Sequence, residues 1–315
     1  MGRSSVSVGP GIVSTSDDLL QHYAEIAAAR GAQASHAGRV STQIPALGEV
    51  DPERFGLAVS LLDGTEVVVG DADVPFSLQS VTKLFALCCL LCEEPTAWEH
   101  VGWDASDAGY GSVSALEQNA GRPRNPFVNA GALVVTDRLL HHTGDAAGAV
   151  TALLADLSGE PVGRDHDVAA SEAAHDHRNR AIAHVLAEHD RLLHPIDDVL
   201  AQYFDQCSIT ASPRAVARSA GLLARRGNGP GPLDPASVRR VNAVLLTAGM
   251  YGAAGDIAYR VGLPAKSGIG GGVVAVMPGV GSICVWSPRL DPTGNSIGAV
   301  VAIEEFARLT GWSVF

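Results

Sequence analysis

Ser77-Leu-Gln-Ser-Val-Thr-Lys-Leu-Phe-Ala-Leu-Cys-Cys-Leu-Leu-Cys92 begins as a polar turn and closes in an apolar run, with a lysine at the join. The chain carries 22 Lys plus Arg, yet only Lys83 and Lys266 are lysine and the other 20 are arginine. Arginine keeps its proton in a protein, whereas a desolvated lysine can lose it. The two exceptions therefore mark positions to test for a titratable amine. The apolar run after Lys83 is too long for a strand and reads as a helix with Ser80 near its start. Ser80-Val-Thr-Lys83 puts hydroxyl and amine three residues apart, on one helical face. Free N–H groups at a helix start favour a developing anion. Burial of the lysine stem lowers an amine's pKa and makes it a candidate base.

The second lysine opens Lys266-Ser-Gly-Ile-Gly-Gly-Gly272, read as a strand running into a glycine-rich turn. It is similar to the Lys-[Ser/Thr]-Gly element of serine acyl-transferase sites of the β-lactamase and penicillin-binding type. Glycine lets backbone approach a substrate closely, and the Ile269 N–H can then complete an oxyanion hole. A phosphate loop is the weaker reading, because Lys266 precedes the glycines instead of following them.

Outward from these motifs, "TSDDLLQHYAEIAAARG" reads as a helix with Ser16 as N-cap and Gly31 as its stop. "FGLAVSLLDGTEVVVGD" gives two strands around Asp63-Gly64, a hairpin signal. From about 95 to 260 the pattern is mostly helical, with Gly/Pro loops. "GGVVAVMPGVGSICVWSPRL" reads as two more strands, and "GNSIGAVVAIEEFARLTG" as a strand end passing into a terminal helix. The expected fold is α+β: an antiparallel sheet built from N- and C-terminal segments, flanked by helices, with an inserted helical subdomain. In boundaries, residues 1–15 form a flexible tail and 16–315 a single domain. Its sheet-containing part covers about 16–80 and 262–315, and its helical part about 81–261. Both lysine motifs then face the boundary between the two parts, where small-molecule clefts form.

A formal charge of −12 disfavours nucleic acid and anionic membranes as partners, since both would repel the chain. No apolar run approaches the roughly 18–20 residues of a membrane span, and the first residues lack the apolar core of a secretory signal. The expectation is a cytoplasmic protein. Three of the five cysteines, Cys88, Cys89 and Cys92, share the apolar run after Lys83, which suits buried reduced thiols. No second ligand pair has zinc spacing, and the "HDHRNR" stretch at 175–180 reads as a charged loop, so no metal and no cofactor are expected.

With these residues in place, the chain resembles the serine-dependent glutaminases, which share the β-lactamase/transpeptidase-like fold. The likeness spans roughly residues 20–312. It rests on "IPALGEV" (44–50), "FSLQSVTKLF" (76–85), "RPRNPFVNAGALVVTD" (122–137), "SEAAHDHRNRAIA" (171–183), "YFDQCSI" (203–209), "GMYGAAGDIAYRVGLPAKSGIGGG" (249–272) and "WSPRLDPTGNSIG" (286–298). The resemblance implies hydrolysis of L-glutamine to L-glutamate and ammonia, with no cofactor, by a homo-oligomer (dimer or tetramer). Carried over by motif, the nucleophile is Ser80 and its partner amine Lys83. The chemistry read beside that has neutral Lys83 taking the Ser80 proton with Tyr203 as relay, and Lys266 supplying positive potential close by. The substrate-binding positions the resemblance implies are Gln79, Ser80, Asn129, Glu172, Asn179, Tyr203, Tyr251 and Ile269. Glu172 has the right charge for the substrate α-ammonium, and the amides and phenols suit the α-carboxylate.

Some positions depart from the family pattern. Gln43 stands where relatives commonly carry a tyrosine, "GWDASDAGYGS" (102–112) replaces the family loop, and Gly252 and Ala254 stand where Asp and Ser are usual. These changes bear on affinity, loop closure and substrate preference more than on reaction type. A penicillin-interacting enzyme and a catalytically silent ligand sensor are the rival readings. Against the first, Tyr203-Phe-Asp205 lacks a terminal Asn; against the second, Ser80 and Lys83 are both present.

Overall fold

The computed structural model describes residues 17–106, 108–227 and 231–315. The expected tail over 1–15, the Ser16 cap and Asp107 of the altered loop lie outside them. Five antiparallel strands form the main sheet, in the order Glu66–Gly70, Gly56–Leu61, Gly281–Trp286, Gly272–Met277, Ala265–Ser267. Both expected hairpins are present. In the first, Thr65 N–H donates to Asp63 Oδ1 (2.9 Å) and Gly64 takes a φ of +95°, the left-handed geometry that glycine accepts freely. The sheet joins residues from both ends of the chain through the register Ala58↔Cys284, as the α+β expectation requires.

Side chains alternate across a strand, and here both faces are buried. Leu57, Val59, Val273, Ala275, Ile283 and Val285 point into a core closed by the helices Asp17–Ser35 and Ile297–Thr310. Ala58, Val274, Val276, Cys284 and Trp286 point the other way. Their cover is the helix Pro213–Ala224, started by Pro213 and capped by Ser212, which accepts from Ala215 N–H. This second core continues through the helices Thr82–Glu93, Asn129–Thr143, Ala146–Ser158 and Ile196–Cys207. Helix from the middle of the chain thus forms one layer of the sheet region, and the apolar cluster crosses the expected division at residue 81.

Two expectations need correction. Gly31 does not end the first helix, which runs on to Ser35. A Cβ at Gly31 would lie 2.5 Å from the Gly298 carbonyl oxygen and 2.8 Å from the Ala302 Cβ, so its glycine serves close helix–helix contact. The block from 95 to 260 also contains strand. Gly163–Arg164 and Ile209–Ala211 pair with each other, and Ile209–Ala211 pairs with Phe76–Ser77. That small sheet ties the helical block to the residues just before Ser80.

Candidate active site

Ser80 lies in a single 3-10 turn, Gln79–Val81, which passes straight into the helix Thr82–Glu93. Leu78 N–H donates to the Ile209 carbonyl (2.9 Å), so the small sheet fixes where the turn begins. Gln79 adopts a φ of +48°, in the left-handed region that a side chain enters only when its surroundings require it. The glycine-rich segment after Lys266 lies directly against this turn. A Cβ at Gly268 would sit 2.5 Å from the Leu78 carbonyl oxygen and 3.1 Å from Ser80 N; at Gly270 it would sit 2.0 Å from the Ser77 carbonyl oxygen. Phe76 stacks on Trp286 at 5.1 Å, and the Trp286 indole N–H donates to the Gly270 carbonyl (3.1 Å). The segment carrying Ile269 is thereby held beside the Ser80 N–H, where two amide donors can serve one oxygen.

Both lysines are buried, at 1% exposure for Lys83 and none for Lys266. Lys83 Nζ donates to Asn129 Oδ1 (2.7 Å) and to the Phe127 carbonyl (3.4 Å). Burial pulls its pKa down to about 8, against the smaller opposing pull of Cys207, Glu172 and Asp176. Burial, with Lys83 nearby, also pushes Lys266 well below the ordinary lysine value. Lys266 Nζ lies 4.3 Å from the centroid of the Tyr251 ring. The Tyr251 phenol donates to the Ser267 carbonyl (3.1 Å) and lies close to the Ser80 hydroxyl. Tyr251 also has a positive φ, +53°. Tyr203 lies beside Cys207, and its ring centroid lies 5.9 Å from Lys83 Nζ. Of the two phenols, Tyr251 is set beside Ser80 and Tyr203, the expected relay, beside Lys83.

At the other end of the cleft, Glu172 is buried with its carboxyl near the Gln79 amide, while its Oε2 has no hydrogen-bond partner. Burial, then the neighbouring Asp176, raises its pKa to about 8. Asn129 and Asn179 are adjacent: Asn129 Nδ2 donates to Asn179 Oδ1 (2.8 Å), and Asn179 Nδ2 donates to Asp176 Oδ2. Ser80, Gln79, Asn129, Glu172, Asn179, Tyr203, Tyr251 and Ile269 all line one open cleft of about 680 Å³. Lys83 and Lys266 lie behind its wall. Among the described residues no group of three or more His, Cys, Asp or Glu side chains is arranged for a metal ion. In "HDHRNR", His175 is exposed and bonded to the Ser171 carbonyl (2.7 Å), and Asp176 caps the next helix.

Sequence reasoning missed Tyr110 and Asp176 as cleft residues, and Cys207 beside them. Tyr110 comes from the altered 102–112 loop. Its carbonyl accepts from Asn129 N–H (2.8 Å), its ring lies 4.8 Å from that of Tyr251, and its hydroxyl reaches Gln43 Oε1 (3.4 Å). An aromatic residue flanked by glycines in a polar loop was the available signal.

A family model described as Glutaminase matches residues 38–315. A glutaminase of Streptomyces coelicolor is 52% identical over 284 residues, covering 89% of this chain and 92% of the relative. Among solved structures, the probable glutaminase ybaS superposes with a TM-score of 0.88 at 31% identity, covering 96% of this chain and 99% of its own. A probable glutaminase from Bacillus subtilis, complexed with 6-diazo-5-oxo-L-norleucine, gives a TM-score of 0.81 at 26% identity over 99% of each chain.

Proposed function

The chain belongs to the glutaminase family, with its β-lactamase-like fold, and from that premise we propose that it releases ammonia from L-glutamine through a γ-glutamyl ester on Ser80. Hydrolysis of L-glutamine to L-glutamate and ammonia is the family's reaction. The observation that carries the serine mechanism is the setting of the Ser80 hydroxyl. It lies beside the Tyr251 phenol, three residues before the buried amine of Lys83 on the turn that runs into its helix, and against the Ile269 segment.

Neutral Lys83 takes the Ser80 proton as Oγ attacks the side-chain carboxamide carbon. The N–H groups of Ser80 and Ile269 hold the oxyanion. Tyr251, set beside Ser80 and over Lys266, passes its proton to the leaving nitrogen and is reprotonated by the Lys83 ammonium, which returns to the neutral amine; the C–N bond breaks and ammonia departs. Water then adds to the ester as Lys83 accepts its proton and hands it to Ser80 Oγ when the ester bond breaks, so that glutamate leaves with Ser80 and Lys83 both restored. The free Oε2 of Glu172 receives the substrate α-ammonium. The donor groups of Tyr203, Asn129 and Asn179 surround the α-carboxylate.

The same reading places the enzyme in the cytoplasm, supported by five unpaired thiols, and as a dimer or tetramer, which light scattering would test. Among the described residues no helix is long and apolar enough to cross a membrane. The test of the activity is ammonia release by wild type and Ser80→Ala, with L-asparagine in parallel. Release from glutamine that vanishes in the variant supports the reading. Turnover that survives in Ser80→Ala overturns the serine mechanism, and none from wild type overturns the substrate.

A further inference from the structure

Four side chains from three segments form one line of hydrogen bonds. Lys83 Nζ donates to Asn129 Oδ1 (2.7 Å), Asn129 Nδ2 donates to Asn179 Oδ1 (2.8 Å), and Asn179 Nδ2 donates to Asp176 Oδ2. Lys83 lies in the helix Thr82–Glu93, Asn129 begins the helix Asn129–Thr143, and Asn179 belongs to the helix His177–Glu188. Asp176 is the N-cap of that last helix and accepts Asn179 N–H through its other oxygen (2.8 Å).

The ends of this line fix its direction. An ionised carboxylate only accepts hydrogen bonds, and a carboxamide donates through nitrogen and accepts through oxygen. With Asp176 at one end, Asn179 must turn its nitrogen toward it and its oxygen toward Asn129. Asn129 must then turn its nitrogen toward Asn179 and its oxygen toward Lys83. A neutral amine has two hydrogens and one lone pair. Its hydrogens are taken by Asn129 Oδ1 and the Phe127 carbonyl, which leaves the lone pair free for the Ser80 proton.

We propose that Asp176 is a positioning residue for the reaction: through Asn179 and Asn129 it sets the amide that aims the Lys83 lone pair at Ser80. This rests on the serine reading above and extends it to a residue that contacts none of the reacting atoms. Replacing Asp176 by Asn gives the line an end that can donate. Asn179 and then Asn129 can turn over, presenting a nitrogen to Lys83 and occupying the lone pair the reaction needs. Replacing it by Ser keeps a helix cap and removes the second acceptor.

Charge gives an independent readout. The groups that face Lys83 are Glu172 from the helix His166–His175, Cys207 and Tyr203 from the helix Ile196–Cys207, Lys266 from the strand Ala265–Ser267, and Asp176 itself. Asp176, after Cys207 and Glu172, favours the charged amine, so its removal moves the Lys83 midpoint toward lower pH. Because the chain has only two lysines, 13C labelling at lysine Cε gives two resonances that can be followed against pH, with or without turnover.

The experiment compares wild type, Asp176→Asn, Asp176→Ser and Asp165→Asn by lysine NMR titration and by ammonia release. Asp165 caps the neighbouring helix His166–His175 and lies outside the hydrogen-bonded line. Absence of turnover in wild type would count against the serine reading and leave the titration to judge this one. The expected result is a Lys83 midpoint moved to lower pH in both Asp176 variants, with kcat down about tenfold or more, and neither change in Asp165→Asn. An unmoved Lys83 midpoint in the folded Asp176 variants would overturn the proposal. So would an equal shift in Asp165→Asn, which would reduce Asp176 to one surface charge among several.

Discussion

Lys266 Nζ lies 4.3 Å from the centre of the Tyr251 ring, and amine and phenol both donate to the carbonyl oxygen of Ser267. The phenol is thus held from two sides beside the Ser80 hydroxyl. Tyr251→Phe keeps the ring over Lys266 and removes only the oxygen. The expected outcome is a kcat about a hundredfold lower, a smaller change in KM, and an unchanged thermal midpoint. Full activity in this variant would remove Tyr251 from the proton path.

Lys83→Arg asks whether the buried cation must give up its proton. Guanidinium stays charged at any working pH. Turnover is expected to fall about a thousandfold in protein whose circular dichroism matches wild type. An arginine variant with substantial activity would show that charge alone suffices.

The pH dependence follows from two groups. The reactive form needs Lys83 neutral, and burial has brought its pKa down to about 8. It also needs Glu172 ionised for the α-ammonium, and burial has raised that pKa to about 8. Both requirements push the same way, so kcat/KM rises with pH and levels off above about 8. For stability the signs differ. Glu172 is raised in the folded state, so its contribution is fully present below the model-peptide value of 4.5 and is lost as pH rises through about 8. Lys83 is lowered, so its burial opposes folding below about 8 and ceases to do so above 10.5. A rate profile that falls from neutral to alkaline pH would contradict this assignment.

Glu172→Gln keeps shape and removes the charge. Loss of a charge-assisted contact to the α-ammonium is expected to raise KM about ten- to a hundredfold, with kcat changed much less. Steady-state kinetics on glutamine, with the α-acetylated amide for comparison, reads this directly. The variant and the acetylated substrate should fail by the same step. Separate, additive losses would put the ammonium elsewhere.

Gly268→Ala tests the close approach of backbone to Ser80. Its Cβ would fall 2.5 Å from the Leu78 carbonyl oxygen. The expected cost is about 1–3 kcal/mol of stability, together with a loss of kcat larger than that of Gly252→Ala, where nothing lies within 4 Å. Equal, small effects at both positions would separate the Ile269 segment from catalysis.

The parts of this protein that depend on local order were legible in its sequence. Ser80 and Lys83 are three residues apart, Asp63-Gly64 bends one hairpin, and short β-rich apolar runs mark the long strands. What escaped depends on contacts between distant segments. The strands Gly163–Arg164 and Ile209–Ala211 are too short to show a period, yet they fix the start of the Ser80 turn. Gly31 looked like a helix stop, because nothing in the sequence reveals the Gly298 carbonyl against it. Tyr203 and Tyr251 both read as cleft phenols. Only the fold, with Tyr251 at a φ of +53°, sets one beside Ser80 and the other beside Lys83. Asp176 read as part of a charged loop until Asn179 and Asn129 linked it to Lys83.

The central claim is the covalent step at Ser80, and its most direct measurement is mass spectrometry of enzyme mixed with L-glutamine and quenched in acid within a turnover. The account expects a γ-glutamyl adduct on the peptide containing Ser80, accumulating in wild type and absent from Ser80→Ala. An adduct on the peptide containing Cys207, which lines the same cleft, or steady turnover in Ser80→Ala, would contradict it.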